Sequence, residues 1–298
     1  MAPTGRIQQS AEFIASQHGG RRFRLVSEPT GREPCGTVIF VHPFAEEMNK
    51  SRRMAARMAR SLAATGWRVV QRDLAGCGDS SGDFADATWD AWLADVQDEL
   101  ALATPARPIW LWSLRAGAML AAAALAHTPS CNLLLWQPVL SGAQHLQQFL
   151  RLHAGARIVG SAKGDDASPA QLLRGGSAVE VGGYRLSPEL AAGLQQAKFE
   201  LPAAFAARVV WLELSTLDPP LQLGAASARA IEALTARGIA VECEALSGPP
   251  FWTTQEIVES DALLARSAAL LGPAAGRADS ARLASAEPPA GAKRAVLL

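Results

Sequence analysis

The chain has 298 residues, no net charge and an apolar fraction of 49%. A chain of this length and composition can bury a substantial core, in one large or two small globular domains. The neutral charge excludes the usual case for nucleic-acid binding, because no surplus of basic residues is present to neutralise phosphates. A basic stretch at 49–60 is interpreted as a solvated helix face.

Cysteine spacing and apolar runs argue against three further classes of protein. The four cysteines are widely spaced and form no C-x-x-C pair, so neither a metal site nor a disulfide framework is predicted. Residues 1–20 lack the charged start and apolar core of a signal peptide. The longest apolar run, 116–126, is too short to span a bilayer. We therefore expect a cytoplasmic protein with no membrane span, no metal and no cofactor.

Strand and helix patterns alternate through most of the chain. Short apolar runs that indicate buried strands lie at 37–43, 67–74, 108–113, 132–138, 208–214 and 240–246. Helical periodicity is found at 50–65, 88–102, 116–127, 224–237 and 253–271. Thr88 is the candidate N-cap of the second of these helices. The alternation predicts a mostly parallel central sheet with helices on both faces.

Two regions depart from this alternation. Residues 141–205 are helical or irregular with no clear buried strand, and we expect them to form a cap inserted above the sheet. Residues 272–298 are rich in Ala, Gly, Pro and Ser and low in large apolar side chains, which predicts a disordered tail. The α/β core would then comprise residues 1–140 and 206–271.

The order and spacing of three pieces resemble the α/β-hydrolase superfamily. These pieces are "VIFVHPF" (38–44), "RDLAGCGDSSGD" (72–83) and the strand–turn–helix around 108–120. The first is similar to the oxyanion loop, in which the backbone N–H of Phe44 would help to form the oxyanion hole. The resemblance gives His42, at the end of the strand, a structural role. It also implies the α/β-hydrolase fold with an inserted helical cap.

Four longer pieces resemble one bacterial group within that superfamily, the hydrolase 2 associated with the exosortase A system. They are 42–54, 76–89, 133–152 and 251–257. Members of this group accompany machinery that sorts proteins bearing a C-terminal PEP motif, usually beside exopolysaccharide genes. The resemblance implies a role in that setting and makes the neighbouring hydrolase 1 protein a candidate partner.

The turn "SLRAG" (113–117) stands where the superfamily carries its nucleophile elbow, G-x-S-x-G. Its small flanking residues are Ser113 and Gly117, so Arg115 occupies the apex. Arg115 cannot act as nucleophile or general base, because its guanidinium is protonated at physiological pH. Ser113 is disfavoured as a nucleophile, since Leu111 and Arg115 would be too bulky beside it in the turn.

The other two members of a Ser–Asp–His triad are only partly present. Asp218, in the loop "STLDPP", has the usual place of the acid. The histidine should follow residue 246, but all five histidines lie at or before His153, and Pro250 or Phe251 fills the expected position. Loss of the serine or the histidine costs roughly 10⁶ in turnover, so a conventional triad mechanism is excluded.

Arg115 at the start of a helix requires an anionic partner, because an unpaired buried cation costs several kcal/mol. Asp218, Glu46 and Glu47 are the candidate partners within the chain. One interpretation is an internal ion pair that fills the former active site. A second is a pocket for a small anionic or acyl ligand. A third is hydrolysis of an acyl ester or thioester, with Glu46 or Glu47 activating water and Arg115 stabilising the developing charge.

Aromatic and histidine side chains complete the set of candidates. Trp136, Phe251 and Trp252 are candidates to line the pocket, although tryptophans in strands usually belong to a core. His145 and His153, eight residues apart on a predicted cap helix, could face the pocket mouth and supply a general base. The favoured interpretation is that they are polar residues on a solvated face. Three functions remain open: a catalytically degenerate accessory protein, a hydrolase without a triad, and a scaffold for another exosortase-system protein.

Overall fold

The computed structural model describes residues 5–128, 130–159 and 167–272, and the predicted tail at 273–298 lies outside them. The strands of the described ranges are β1 (Ile7–Ala15), β2 (Arg21–Pro29), β3 (Thr37–Val41), β4 (Arg68–Arg72), β5 (Ile109–Leu114), β6 (Asn132–Trp136), β7 (Val179–Val181), β8 (Tyr184–Leu186), β9 (Val209–Ser215) and β10 (Val241–Ser247). The α-helices are α1 (Glu46–Thr65), α2 (Trp89–Leu102), α3 (Gly117–Ala124), α4 (Gly142–Val159), α5 (Pro169–Arg174), α6 (Pro188–Gln196), α7 (Ala225–Ala236) and α8 (Asp261–Leu271).

The main sheet of the described residues has eight strands in the order β1-β2-β4-β3-β5-β6-β9-β10. In this order, the six strands from β4 to β10 run parallel to one another. β2 runs antiparallel to both of its neighbours, β4 and β1. The predicted mostly parallel sheet is therefore confirmed. Because β3, β5 and β6 are central neighbours, the loops that follow them meet at one edge of the sheet.

The two faces of the sheet bury alternate residues of each strand. Val38 and Phe40 of β3 pack in the cluster that includes α1 and α8. Ile39 and Val41 pack in the opposite cluster, which includes α2, α3 and α7. Helices thus cover both faces, as predicted. Thr88 caps α2, its hydroxyl accepting a hydrogen bond from Ala91 N–H.

The sequence analysis predicted no strands before residue 37, and the structure has two there. β1 is largely exposed, so it lacks an alternating apolar pattern. In β2 the side chain of Arg22 is buried and that of Arg24 is partly buried, as ion partners of Asp95 and Glu99 on α2. The sequence pattern missed this strand because charged residues stand at positions that apolar residues usually occupy.

The segment between β6 and β9, residues 137–208, is called the insertion. Its expected lack of strands was wrong, because β7 and β8 form a hairpin with Gly182 and Gly183 at positive φ in the turn. Leu146 of α4 and Leu190 of α6 are buried in the same apolar cluster as α2 and α3. The insertion therefore shares the core of one sheet face.

Two helix starts differ from the sequence prediction. α1 begins at Glu46 rather than residue 50, so both acidic candidates lie in its first turn. α8 begins at Asp261 rather than 253, with Ser260 as its N-cap. The intervening residues 249–254 form a turn that approaches the start of α1, where Lys50 Nζ donates to Thr254 O at 3.0 Å. Among the described helices, none is long and apolar enough to cross a membrane.

The basic stretch of α1 is tied to neighbouring segments. Arg53 and Arg57 form ion pairs with Glu259, and Arg57 forms a second with Asp261 at the start of α8. Arg53 is also largely exposed, in keeping with a solvated helix face. These pairs hold α8 against α1, on the face of the sheet opposite α2.

Candidate functional site

The turn between β5 and α3 has the geometry of an elbow with Arg115 at its apex. Arg115 has φ 54°, a conformation that residues with a side chain rarely adopt. Its N–H donates to Trp136 O at 3.0 Å, and its carbonyl accepts from Ala118 N–H and Val139 N–H, both at 3.1 Å. Ser113 lies inside β5 and is fully buried. The assignment of the apex to Arg115 rather than Ser113 thus agrees with the backbone.

Gly117 allows the elbow to approach the end of β3. A Cβ atom at this position would lie 2.5 Å from Val41 O and 2.8 Å from His42 O, closer than real Cβ contacts. A side chain at 117 is therefore excluded by backbone atoms, which is the reason for the small residue in this motif. The close approach places Arg115 beside the loop that follows β3.

Backbone strain is concentrated at the same edge of the sheet. In the described part of the chain, the non-glycine residues with positive φ are Ala45, Arg115 and Gln137. They follow β3, β5 and β6, the three central strands. Each such residue costs about 1–3 kcal/mol, and strain of this kind gathers at functional sites.

Arg115 is paired with Glu47 by a single hydrogen bond. Arg115 Nε donates to Glu47 Oε1 at 3.1 Å, and the two side chains are 19% and 17% exposed. Within the described ranges, no protein group accepts a hydrogen bond from Arg115 Nη1 or Nη2, and Glu47 Oε2 is buried without a partner. Burial raises the pKa of Glu47, and the charge of Arg115 opposes this rise.

Trp252 follows directly after Pro250 and Phe251, which fill the position expected for the catalytic histidine, and it contacts Arg115. The guanidinium carbon of Arg115 is 5.6 Å from the centre of the Trp252 ring, within the range of a cation–π contact. Phe251 and Trp136, the other two predicted pocket residues, are each 1% exposed and pack against one another on the α8 side. Trp136 Nε1 donates to Ser267 Oγ of α8 at 2.8 Å. Only Trp252 of the three lines the cavity described next.

A cavity of about 350 Å³ opens above the elbow. Small-molecule sites typically occupy about 300–1,000 Å³, so this volume lies at the lower end of that range. The cavity is lined by apolar rings and by charged or polar side chains: Phe44, Phe149 and Trp252, with Glu46, Glu47, Lys50, Arg115, His145, Gln148 and Thr253.

His145 is a buried member of this cavity, so its interpretation as a solvated residue was wrong. It is 6% exposed because its side of α4 packs on the oxyanion loop, with the Phe44 and His145 ring centres 5.8 Å apart. Both ring nitrogens are buried without a partner among the described residues. Burial, followed by the charge of Arg115, lowers the pKa of His145 to about 4. His145 is therefore neutral at physiological pH. The side chain of His153 lies outside the described set.

A buried polar atom without a partner is rare in proteins. Each one costs about 1–3 kcal/mol relative to a satisfied atom. Three of the seven such atoms among the described residues belong to two residues that line the cavity: Glu47 Oε2, His145 Nδ1 and His145 Nε2. Each buried polar atom without a partner calls for a physical explanation.

His42 joins the oxyanion loop to the loop after β4, which agrees with its expected structural role. Its Nδ1 lies 2.8 Å from Pro43 O, and its Nε2 accepts a hydrogen bond from Leu74 N–H at 3.3 Å. The imidazole therefore carries its proton on Nδ1. Burial lowers the pKa of His42, which keeps the ring neutral. With both nitrogens occupied, His42 has no group free for catalysis.

Phe44 contributes an apolar wall and a backbone donor. Its ring is 3% exposed and meets Phe149 edge-on, with the ring centres 5.0 Å apart. In the described parts of the chain, no protein acceptor is found for Phe44 N–H or Ala116 N–H. These are the two amides at which the superfamily resemblance places the oxyanion hole.

Glu46 and Asp218, the other two predicted acids, do not contact Arg115. Glu46 Oε2 accepts hydrogen bonds from Tyr184 OH at 2.9 Å and from Asn49 Nδ2 at 3.2 Å, and it lines the cavity. Tyr184 belongs to β8, so this bond ties the insertion to α1. Asp218 is exposed and makes no hydrogen bond or ion pair with any described residue.

A larger cavity of about 840 Å³ lies at the opposite, amino-terminal ends of the central strands. Most of its lining charges are already paired: Arg24 with Glu99, Arg68 with Glu28, and Arg107 with Glu33. Arg32, which also lines it, donates to Ala64 O at 3.3 Å. Ligands of open α/β sheets bind at the carboxyl ends of the strands. The elbow cavity, although smaller, is thus the better candidate site.

Metal binding and a cysteine nucleophile have little support among the described side chains. No group of three or more His, Cys, Asp or Glu residues is placed to hold a metal ion in these ranges. Burial raises the pKa of the Cys77 thiol to about 12, so it is not a ready nucleophile. Cys77 is a buried member of the core on the α2 side.

Comparisons with known proteins agree on the fold. The family described as serine aminopeptidase, S33, matches residues 32–165 of the chain. Est1E from Butyrivibrio proteoclasticus with bound ferulic acid is similar over 88% of this chain and 98% of its own, at 16% identity and a TM-score of 0.60. The α/β hydrolase GrgF from Penicillium sp. sh18 is similar over 87% and 96%, at 16% identity and a TM-score of 0.56.

A third solved structure extends this agreement to an animal protein. The α/β hydrolase domain-containing protein 10 from mouse is similar over 88% of this chain and 98% of its own, at 16% identity and a TM-score of 0.52. No curated protein matches the chain in sequence. The fold is therefore the α/β-hydrolase fold, as predicted. The finer resemblance to the exosortase-associated group stays a prediction.

Proposed function

We propose, from the α/β-hydrolase fold that the chain adopts, that its elbow pocket binds a small anionic ligand instead of performing triad hydrolysis. The observation that carries this proposal is the state of Arg115. One of its N–H groups is held by Glu47, whereas Nη1 and Nη2 have no acceptor among the described residues. An Arg fork is well suited to a carboxylate or another planar anion.

An ion pair that merely fills the former active site would have a different geometry. Two parallel hydrogen bonds, from two guanidinium nitrogens to both carboxylate oxygens, form the strong version of such a pair. Here Glu47 uses one oxygen and Arg115 one nitrogen. The pair also borders a cavity of about 350 Å³ rather than closing it. Both features support a site that receives a further partner.

Hydrolysis without a triad lacks a competent base in this cavity. Glu47 is engaged by Arg115, and Glu46 by Tyr184 and Asn49. His145 has a pKa of about 4 and no carboxylate behind it to orient the ring. A general base works best when its pKa is near the operating pH, so His145 would activate water weakly.

The resemblance to the exosortase-associated group extends the proposal to a biological setting. In that setting the chain would act as a catalytically degenerate accessory protein of PEP-motif sorting or polysaccharide export. The hydrolase 1 protein remains the predicted partner, on the resemblance alone. The experiment below distinguishes the hydrolase alternative, and the scaffold alternative rests on the resemblance alone.

The test is calorimetric titration of the purified chain with carboxylic acids and with their uncharged amides. Benzoate and octanoate are compared with benzamide and octanamide, for the wild type and for Arg115→Gln. We expect the acids alone to bind, with about a tenfold loss in Arg115→Gln. Arg53→Gln is the matched control, because Arg53 lies on α1 outside the cavity.

Three outcomes would contradict the proposal. Equal binding of acids and amides would remove the role of charge. Equal losses in Arg115→Gln and Arg53→Gln would show a non-specific electrostatic effect. Turnover of acyl nitrophenyl esters or thioesters that Arg115→Ala abolishes would establish a hydrolase without a triad instead.

A further inference from the structure

We infer that the ligand of this pocket is a monocarboxylic acid with an apolar body that carries a hydroxyl group, and that His145 recognises the hydroxyl. This inference rests on the proposed function and adds the chemical class of the ligand. It is argued from the net charge of the cavity, from its walls and from the orphaned imidazole.

The charges around the cavity favour a ligand with one negative charge. Arg115 supplies the free donors, but Glu47 already neutralises much of its charge, and Glu46 adds a second carboxylate to the lining. Lys50, the other cation, donates to the carbonyl oxygens of Thr253 and Thr254. A doubly charged phosphate would meet two carboxylates for one partly neutralised guanidinium. A carboxylate matches the two free Nη groups with a single charge.

The walls and the volume define the body of the ligand. Phe44, Phe149 and Trp252 line the cavity, and the Trp252 face also contacts Arg115. A volume of about 350 Å³ equals roughly a dozen waters at about 30 Å³ each. It therefore fits a ligand with on the order of a dozen non-hydrogen atoms. A single aromatic ring or a medium-length acyl chain with a terminal carboxylate has this size and character.

His145 supplies the polar contact that the carboxylate does not use. It is 94% buried, lines the same cavity as Arg115, and leaves both ring nitrogens without a partner among the described residues. A neutral imidazole has one donor and one acceptor nitrogen. A hydroxyl group can accept from the first or donate to the second, so one hydroxyl can satisfy either nitrogen. A ligand without such a group would leave the imidazole unsatisfied.

The experiment compares acids that differ only in a hydroxyl group. Phenylpropanoic acid is titrated beside its ortho-, meta- and para-hydroxy derivatives, and octanoic acid beside hydroxyoctanoic acids. We expect at least one hydroxy acid to bind the wild type about tenfold more tightly than its parent. In His145→Phe this gain should disappear, while the parent acid binds within about twofold of the wild type.

Two matched variants locate the effect. Gln144→Leu alters an exposed polar residue of α4 that does not line the cavity, and it should keep the preference for the hydroxy acid. Arg115→Gln should weaken the parent and the hydroxy acid alike. The retained binding of the parent acid by His145→Phe shows that this variant is folded.

The outcomes separate the two proposals. A wild type that prefers no hydroxy acid over its parent overturns the inference, as does a preference that His145→Phe keeps or that Gln144→Leu removes. In each of these cases a loss in Arg115→Gln still supports the proposed function. If acids bind independently of Arg115, the proposed function fails first.

Discussion

Glu47 Oε1 accepts a hydrogen bond from Arg115 Nε at 3.1 Å, which joins the first turn of α1 to the apex of the elbow. The two residues are 68 positions apart in the chain. They meet because the strands that precede them, β3 and β5, are parallel neighbours whose carboxyl ends coincide. A charged pair thus occupies the place where other members of this fold assemble a nucleophile and an oxyanion loop.

Glu47→Gln tests the strength of this pair. The variant leaves a mostly buried guanidinium without its ion partner, so we expect the free energy of unfolding to fall by about 1–3 kcal/mol. The same change removes a competing negative charge, and the affinity for carboxylates should rise about tenfold. Urea denaturation measures the first effect and calorimetry the second. Glu46→Gln is the control, because Glu46 is exposed and does not touch Arg115.

The melting temperature of Glu47→Gln with added ligand provides a second test of this pair. A saturating carboxylate should restore the melting temperature of this variant more than it raises that of the wild type, because it replaces the missing anion. Unchanged affinity in Glu47→Gln would show that the Glu47 carboxylate does not compete with ligand.

The pH dependence of stability should report the burial of His145. Its pKa is about 4 in the folded protein and 6.5 in an ordinary environment. Between these values the unfolded chain binds more protons, so the free energy of unfolding falls as the pH drops from 6.5 to about 4. His145 contributes roughly 3 kcal/mol to this loss.

Comparison with His145→Gln isolates that contribution. His42, whose pKa is also lowered, acts in the same direction, whereas the raised pKa of Glu47 acts in the opposite one. Arg115, Glu46 and Lys50 also line the cavity but are unchanged in this comparison. Chemical denaturation at a series of pH values should give a shallower acid loss for the variant. Parallel pH profiles would contradict the burial of a neutral His145.

Arg115→Ser should not create a serine hydrolase. The substitution places a hydroxyl at the elbow, but Pro250 or Phe251 fills the position expected for the histidine, and His145 has no carboxylate to orient it. Without a base, activity should stay roughly 10⁶ below that of a complete triad. Nitrophenyl ester assays and a fluorophosphonate probe measure the result. Rapid labelling of the introduced hydroxyl would contradict this prediction, because such labelling requires a general base beside it.

Gly117→Ala should destabilise the elbow. Its Cβ would meet two backbone carbonyl oxygens at 2.5 and 2.8 Å, which cannot move without shifting β3. We expect a loss of about 3 kcal/mol, at the upper end of the overpacking range. Gly224→Ala is the matched control at the start of α7, where the nearest atom would lie 3.6 Å away. That variant should lose less than about 1 kcal/mol. Similar losses in both would contradict the packing argument.

The local pattern of apolar and small residues was sufficient to predict the strands and helices that carry the site. The apolar runs of β3, β5 and β6 are confirmed because each has a composition typical of strands buried on both faces. The spacing of small residues around Arg115 likewise identified the apex. The pattern failed for β2, where ion pairs to Asp95 and Glu99 bury arginines, because such pairs depend on a helix far along the chain.

The sequence by itself determined the fold, the cation at the elbow and the absence of a histidine after residue 153. Only the tertiary structure decided that Glu47, and neither Glu46 nor Asp218, holds Arg115. It also decided that His145 is buried in the cavity rather than solvated. The physical reason is that composition and periodicity depend on neighbours in the chain. The partner of a charge depends instead on which strand ends meet, and the burial of an imidazole on which helix packs above them.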